Sequence, residues 1–409
     1  DRLLSRGLGD VYKRQTFYNL NYFDAPMKGL LEEKVLANVK PEKASYPRFK
    51  SYDSRLEINN ISEGVDYVGG FSLYGRKVIG SGTKDQDAYV YFMRNGGVFL
   101  KMAATTFIIK PERVVSKIAS ATFYLKDDSI YHPGLSFKFF VDDRKLSLIR
   151  DHQGIKLTPY FNSYHQVDMD FESLEWQVDS PMIEFKNLTG GTKLDATFVS
   201  SDYFSQKAYM GLMSMQTTHP LYMINQLVEK LDTNFITNRQ LAEHTLASYD
   251  ALEGFLLDLS YRGFINYNYD EKYFIVKDKL INWVKASGGN IDYDVIGFYS
   301  KLKGASNGSL SLINYDLKLR GVNRINVSDS QEVVIYPSKR EIILKKNRDF
   351  DFGGVIQAGR FDIMGSNFAF KYDEFKVDMP NVDSLRIYAE TGAMDEYGNP
   401  YSSMAPVSA

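Results

Sequence analysis

Between Thr218 and Ser287 the apolar residues recur at helical spacing over a longer stretch than anywhere else in the chain. Strand-like sequence lies on both sides of it. Such a chain has to bury two kinds of surface, the apolar stripe of a helix and the inner face of a pleated sheet. His219-Pro220 opens a first helix, with proline at a position whose N–H would be unpaired anyway. Leu221, Ile224, Leu227, Val228 and Leu231 then share one face. Thr237 and Gln240 have the spacing of a capping box, and Ile236 and Leu241 that of a hydrophobic staple. A third helix, capped by Ser248 or Asp250, carries Leu252, Phe255, Leu256 and Leu259 at i, i+3, i+4, i+7, and Arg262-Gly263 stops it. Phe264–Tyr269 and Tyr273–Lys277 read as strands joined by Asp270, Glu271 and Lys272, with a last short helix over Asp278–Ala286.

Three short helices followed by a hairpin resemble a winged helix. Winged helices often bind DNA through the third helix, which needs cations for phosphates and forked donors for base edges. From Tyr249 to Phe264 the charged residues are Asp250, Glu253, Asp258 and Arg262, a net of −2. From His219 to Ser287 seven Lys or Arg face nine Asp or Glu. The charge count therefore speaks against nucleic acid and for a spacer or protein-docking module.

Outside this stretch the sequence alternates short apolar runs with turn residues, which predicts a mainly β chain. Strands are expected at Leu56–Ile61, Phe71–Tyr74, Ala88–Met93, Val98–Met102, Thr106–Ile109, Ala121–Leu125, Leu135–Val141 and Leu146–Ile149. Beyond the helical stretch they are expected at 309–313, 315–319, 332–336, 341–344, 354–357, 360–364, 368–372, 375–377 and 384–388. Asn95-Gly96-Gly97 marks a hairpin. Gly353, Gly354, Gly359 and Gly365 read as successive tight turns. Met27–Lys40 reads as a short helix before Pro41. The cadence fits a β-sandwich or a β-solenoid (β-helix) carrying an inserted small α+β domain.

One motif occurs twice. Tyr67–Arg76 and Asp351–Arg360 both contain Gly-Gly-x4-Gly-Arg, and each is followed by Gly-Ser, at Gly80-Ser81 and Gly365-Ser366. A similar β unit is thus expected before and after the helical stretch. The expected organisation is a β-rich domain at 16–205, the helical domain at 206–287 and a second β-rich domain at 288–400. Residues 1–15 resemble translated adapter sequence from the edge of a metagenomic assembly, and 401–409 carry no pattern and read as an unstructured tail. The chain is expected to be an inner piece of a longer protein.

The composition removes several classes of function. The 409 residues contain no Cys, which excludes disulfides, thiol catalysis and Cys-based zinc sites. The formal net charge of −2 provides no global field toward nucleic acid or anionic membranes. The 29 Tyr and 27 Phe suit half-buried pleated surfaces. No apolar run has the length of a membrane helix.

The search for chemistry assigns no catalytic, cofactor-binding or metal-binding residues. His165 with Asp168 and Asp170 has the composition of a metal or acid–base group. On a strand, however, the two carboxylates share a face that His165 does not, so surface or loop positions are expected. His132, before Pro133, is expected to pack in a turn, and His244 to lie mid-helix; His152 carries no pattern. Asp127-Asp128 and Asp142-Asp143 read as solvated turns, and Lys345-Lys346-Asn347-Arg348 as a solvated basic strand edge.

Tyr46-Pro-Arg-Phe49, Tyr67–Gly75, Asp128-Ser-Ile-Tyr-His-Pro133, Tyr160-Phe-Asn-Ser-Tyr-His165, Val276-Lys-Asp-Lys279 and Asn347–Gly354 together resemble a family of large Bacteroidetes proteins with no assigned activity. The resemblance spans Thr16 to about Pro400 and implies an extracytoplasmic site, periplasmic or at the cell surface. The expected function is a non-enzymatic structural or protein-interaction component of the envelope, its partners other envelope proteins or surface glycans. A carbohydrate-active or carbohydrate-binding β protein is the alternative, and DNA binding the second alternative.

Overall fold

The computed structural model describes residues 11–17, 27–34, 44–75, 77–84, 86–150, 158–188, 195–201, 204, 206–213, 218–245, 248–268, 271–289, 296–302, 305–328, 332–390 and 404–406. The fold is mainly β, and neighbouring strands pair antiparallel. A β-helix stacks its strands in parallel, so of the two architectures left open by the sequence the antiparallel ladders decide against it. By packing, the chain divides into one compact unit of residues 1–157 and 173–180 and a second of 158–172 and 181–409.

The first unit turns on the long strand Val65–Tyr74. Its first half pairs with Leu56–Ser62 and Ala88–Arg94, its second half with Arg48–Ser51 and Lys77–Ser81. The change of partners falls at Gly69-Gly70. A Cβ on Gly69 would lie 2.3 Å from the Tyr67 hydroxyl oxygen, because the Tyr67 ring lies across the glycines and donates to the Gly70 carbonyl at 2.7 Å. Its core is aromatic: Phe92 meets Phe139 at 5.1 Å and Trp176 at 6.2 Å, all fully buried. Burial of each such ring contributes roughly 1.5–3 kcal/mol. The expected hairpin forms at Asn95-Gly96, with φ of 51° and 79° and Arg94 opposite Gly97.

In the second unit Ala196–Ser200 pairs with Gly297–Ser300. These two neighbours in the sheet are the strands between which the helical stretch is inserted. Its helices are α1 (Gln206–Met210), α2 (Pro220–Leu231), α3 (Asn238–Thr245), α4 (Tyr249–Tyr261) and α5 (Asp278–Ser287). Phe235–Thr237, Ile265–Asn268 and Tyr273–Val276 make a separate three-stranded sheet with Tyr273–Val276 in the middle. Leu221, Ile224, Ile236, Leu256, Phe274 and Trp283 are among the residues of a core confined to this segment. The capping box is present: Gln240 N–H donates to Thr237 Oγ1 at 3.3 Å and Thr237 N–H to Gln240 Oε1 at 2.8 Å.

Three local expectations are corrected. Met27–Glu33 is a strand, paired with Val11–Phe17 on one side and Arg48–Ser51 on the other, because cross-strand pairing outweighs a weak helix preference; residues 35–40 of the expected helix lie outside the described residues. The glycines from 353 to 365 do not each make a turn. Phe350–Ala358 and Phe361–Lys371 are two long strands joined by one turn at Gly359-Arg360. Gly354 is where the first strand passes from Glu341–Leu344 to Val333–Pro337. Both Gly-Gly-x4-Gly-Arg copies therefore contain the same device, a strand that changes partners at Gly-Gly and then turns back on itself, after Tyr74 in the first and after Ala358 in the second. Finally Met404–Pro406, within the stretch read as a tail, pairs with Tyr388–Glu390.

Candidate functional site

The His165–Asp168–Asp170 group does not assemble. His165 occupies the turn between Tyr160–Asn162 and Val167–Asp170, a loop position as one of the two expected placements had it, but it is fully buried and not at the surface. Its N–H donates to Asn162 Oδ1 at 3.0 Å, its Nδ1 lies 2.8 Å from Asn162 Nδ2 and its Nε2 lies 2.9 Å from the Tyr315 carbonyl. An amide NH₂ can only donate, so Nδ1 accepts and Nε2–H donates to Tyr315. The ring is a neutral tie between two turns. Asp168 points elsewhere, to Lys279 of α5 at 3.3 Å, and burial holds its carboxyl above the usual range despite Lys279 and Lys277. His132 lies within the strand Asp128–Phe140, not in a turn, and its Nδ1 accepts from Gly134 N–H at 3.0 Å where the ladder is irregular. His152 lies outside the described residues. Among the described residues no three His, Asp or Glu gather to hold a metal ion.

What His165 does is tie together one end of the second unit. Four turns meet there, each between neighbouring strands. They are Ser163–Gln166, Leu312–Asp316, Lys345–Asp349 and Tyr372–Phe375. The Tyr164 ring stands 5.4 Å from Tyr315 at 69°. The Tyr164 carbonyl accepts from Asn347 N–H at 3.1 Å. Lys346 Nζ lies 5.3 Å over the Tyr164 ring, and the Arg348 guanidinium 3.7 Å over Tyr372. Tyr372 stands 6.4 Å from Phe375 at 76°. The end thus displays four aromatic rings and two stacked cations, the residue types that dominate the energetics of binding surfaces.

The basic run is therefore not a uniform solvated edge. Lys345 is held by Asp316 at 2.7 Å and Asp351 at 3.4 Å. Burial works against its charge most strongly, but the two carboxylates together keep its ammonium above the usual pKa. Lys371 bonds Asp349 at 2.9 Å, and that hydrogen bond raises its pKa. Asp349 also accepts from Tyr372 N–H at 2.9 Å. Asp316 and Asp349 are thus engaged by Lys345, Lys371 and backbone, while Asp373 and Glu374 of the Tyr372–Phe375 turn are exposed and Glu374 pairs with Lys376.

The backbone of these turns is left-handed where the side chains are large: φ is 61° at Tyr315, 68° at Arg348 and 49° at Phe375. Turns of this kind favour Gly or Asn, and a bulky residue costs about 1–2 kcal/mol at such a φ. Other turns of the chain also hold long side chains at positive φ, Lys126, Arg144 and Arg340 among them. Tyr164, Tyr315 and Tyr372 went unremarked as site residues in the sequence; the available signal was large aromatics inside turn segments next to a basic run.

No known protein family, curated protein or solved structure matches this chain.

Proposed function

We propose that the protein is a non-enzymatic interaction component of the bacterial cell envelope, and that the four-turn end of its second unit is its working surface. The observation that carries this is the meeting of Tyr164, Tyr315, Tyr372 and Phe375 with Lys346 and Arg348 on four adjoining turns. Loops on a rigid sheet are where binding residues concentrate, because the scaffold bears the ordering cost in advance. The envelope location rests on the resemblance of the sequence to Bacteroidetes envelope proteins. Among the described residues no helix is long and apolar enough to cross a membrane.

The inserted α+β segment has the element order of a winged helix: α2, strand, α3, α4, then two strands. We assign it spacing or docking over nucleic-acid binding. Arg262 is paired with Asp258 at 2.9 Å and Lys272 with Glu253 at 2.6 Å, so cations on and beside α4 already have carboxylate partners. Fluorescence anisotropy with mixed duplex at low salt, where electrostatic association is strongest, decides this point; saturable binding there would restore the nucleic-acid reading.

The test of the working surface is retention of the purified chain on cell-envelope fractions. The triple variant Tyr164→Ala, Lys346→Ala, Tyr372→Ala should keep its circular dichroism and lose retention. Equal retention by the folded variant would move the working surface elsewhere.

A further inference from the structure

One face of the sheet in the second unit runs out beyond its own cover. Cross-strand partners carry their side chains on the same face, so the register marks a row that crosses five strands. Ile325 of Ile325–Ser328, Ile335 of Val333–Pro337, Ile356 of Phe350–Ala358, Ile363 of Phe361–Lys371 and Leu385 of Asn381–Glu390 stand side by side. The first three are buried, Ile363 is half-buried and Leu385 is 54% exposed. The next row repeats the trend, from half-buried Ala358 to Phe361 at 44% and Ile387 at 46% exposure. What covers Ile335 and Ile356 therefore stops short of the last two strands, although their apolar pattern continues.

We infer that this overhanging face packs against the same face of a second copy of the chain, in a two-fold dimer. The charged side chains of the two strands do not interrupt it. Asp362 and Arg386 are cross-strand partners on the opposite face, where Asp362 accepts from the Tyr388 hydroxyl at 2.8 Å. Asp383 sits in the bulge at one end of the patch, and Arg360 lies in the turn at the other, so both belong to its rim. Phe361, Ile363, Leu385 and Ile387 thus form an open sheet face without charge. Its occupant has to be apolar and pleated as well, and the chain itself carries such a surface. Under a two-fold axis one patch serves both partners. The open side chains expose on the order of 300–400 Å² of apolar surface, as much as the largest patch of an ordinary monomer. A standard interface buries roughly 800 Å² per partner, a little over half of it apolar, so the patch supplies most of the apolar core and the rim the remainder. The four turns lie at the other end of Phe361–Lys371, so this dimer does not depend on the working surface proposed above.

The experiment is sedimentation equilibrium of the full chain between about 1 and 100 µM, a range in which association of this size is concentration-dependent. The wild type should form dimers. Leu385→Lys and Ile387→Glu each place a charge in the apolar centre and should weaken the dimer about a hundredfold or more, with circular dichroism unchanged, because both residues are exposed in the single chain. Arg386→Glu, on the opposite face, should leave association as it is. The chain has no Cys, so an introduced thiol reports on its own surroundings. The Leu385→Cys thiol should react with iodoacetamide slowly in concentrated protein and quickly on dilution, whereas Arg386→Cys should react equally in both; this readout decides the matter if the charged variants fail to fold. A monomeric wild type overturns the inference, as do dimers that persist in both charged variants and a Leu385→Cys thiol whose reactivity ignores concentration. A monomer that instead binds phosphatidylcholine vesicles, and loses them with Leu385→Lys, overturns it in favour of a lipid surface.

Discussion

Lys279→Met should loosen the inserted α+β segment from the strand it rests on. Lys279 lies in the first turn of α5 and reaches Asp168 on Val167–Asp170 at 3.3 Å. The two side chains are only 16% and 19% exposed. Lys277 lies 4.7 Å over the Phe161 ring of the adjoining strand, and Gly263 approaches the same ring so closely that a Cβ would lie 2.7 Å from it. At this separation two unit charges attract by roughly 5 kcal/mol at an effective dielectric of about 20. Breaking a fully buried pair costs about 3–5 kcal/mol. Here partial water access, the remaining Lys277 and the option of protonating Asp168 reduce the loss to about 2–3 kcal/mol. Amide hydrogen exchange across Asp278–Ser287 should then speed up roughly 30- to 150-fold at pH 7.5. Asp168→Asn in the same background should recover much of the loss, because it removes the unpaired buried charge. The pH dependence has a definite sign. Burial raises the Asp168 carboxyl above its ordinary value in the fold. Its contribution to stability is therefore present below the unfolded pKa of about 4 and is lost as pH rises through the higher folded value. Without Lys279 that folded value rises further, so the deficit of the variant should shrink as pH falls from 7.5 toward 5. Unchanged exchange at pH 7.5, or a deficit that grows on acidification, would refute the reasoning.

Two further outcomes test the fold. Gly354 has φ of 143°, and a Cβ there would lie 2.1 Å from the Tyr336 carbonyl oxygen, so Gly354→Ala should cost more than about 3 kcal/mol. Gly359→Ala, with φ of 55° and open space around it, should cost only about 1 kcal/mol, and thermal melting of the two variants compares them. His219 caps α2 with Nδ1 accepting from Leu221 N–H at 3.2 Å, and its Nε2–H donates to the Tyr209 carbonyl at 2.8 Å. Burial holds its pKa below the ordinary value, so its contribution to stability is full above about pH 6.5 and is lost as pH falls through the folded value. An NMR titration of the His219 ring should give a midpoint below that of His in a model peptide; a midpoint at or above it would show that the ring is not held neutral.

The features readable from the sequence were those set by neighbours in the chain. The Thr237–Gln240 capping box, the apolar stripe of α2 and the Asn95-Gly96 hairpin depend on backbone geometry within a few residues, and all three formed. Charge counts also carry over, because they do not depend on the fold. Met27–Glu33 was misread because its strand state comes from partners 10 to 22 residues away in the chain. The Gly353–Gly365 run was misread because a glycine that admits a neighbouring backbone looks, in sequence, like a glycine that makes a turn. The candidate site could not be read at all. Tyr164, Tyr315, Arg348 and Tyr372 come from four separate turns, and only the antiparallel stacking of the strands, with buried His165 as the tie, brings them to one end. The sequence by itself determined that this is a mainly β chain interrupted by a self-contained α+β segment, since those properties follow from local period and capping. Tertiary structure decided which strands pair, where the glycines work and which side chains meet, because each depends on which distant surfaces exclude water together.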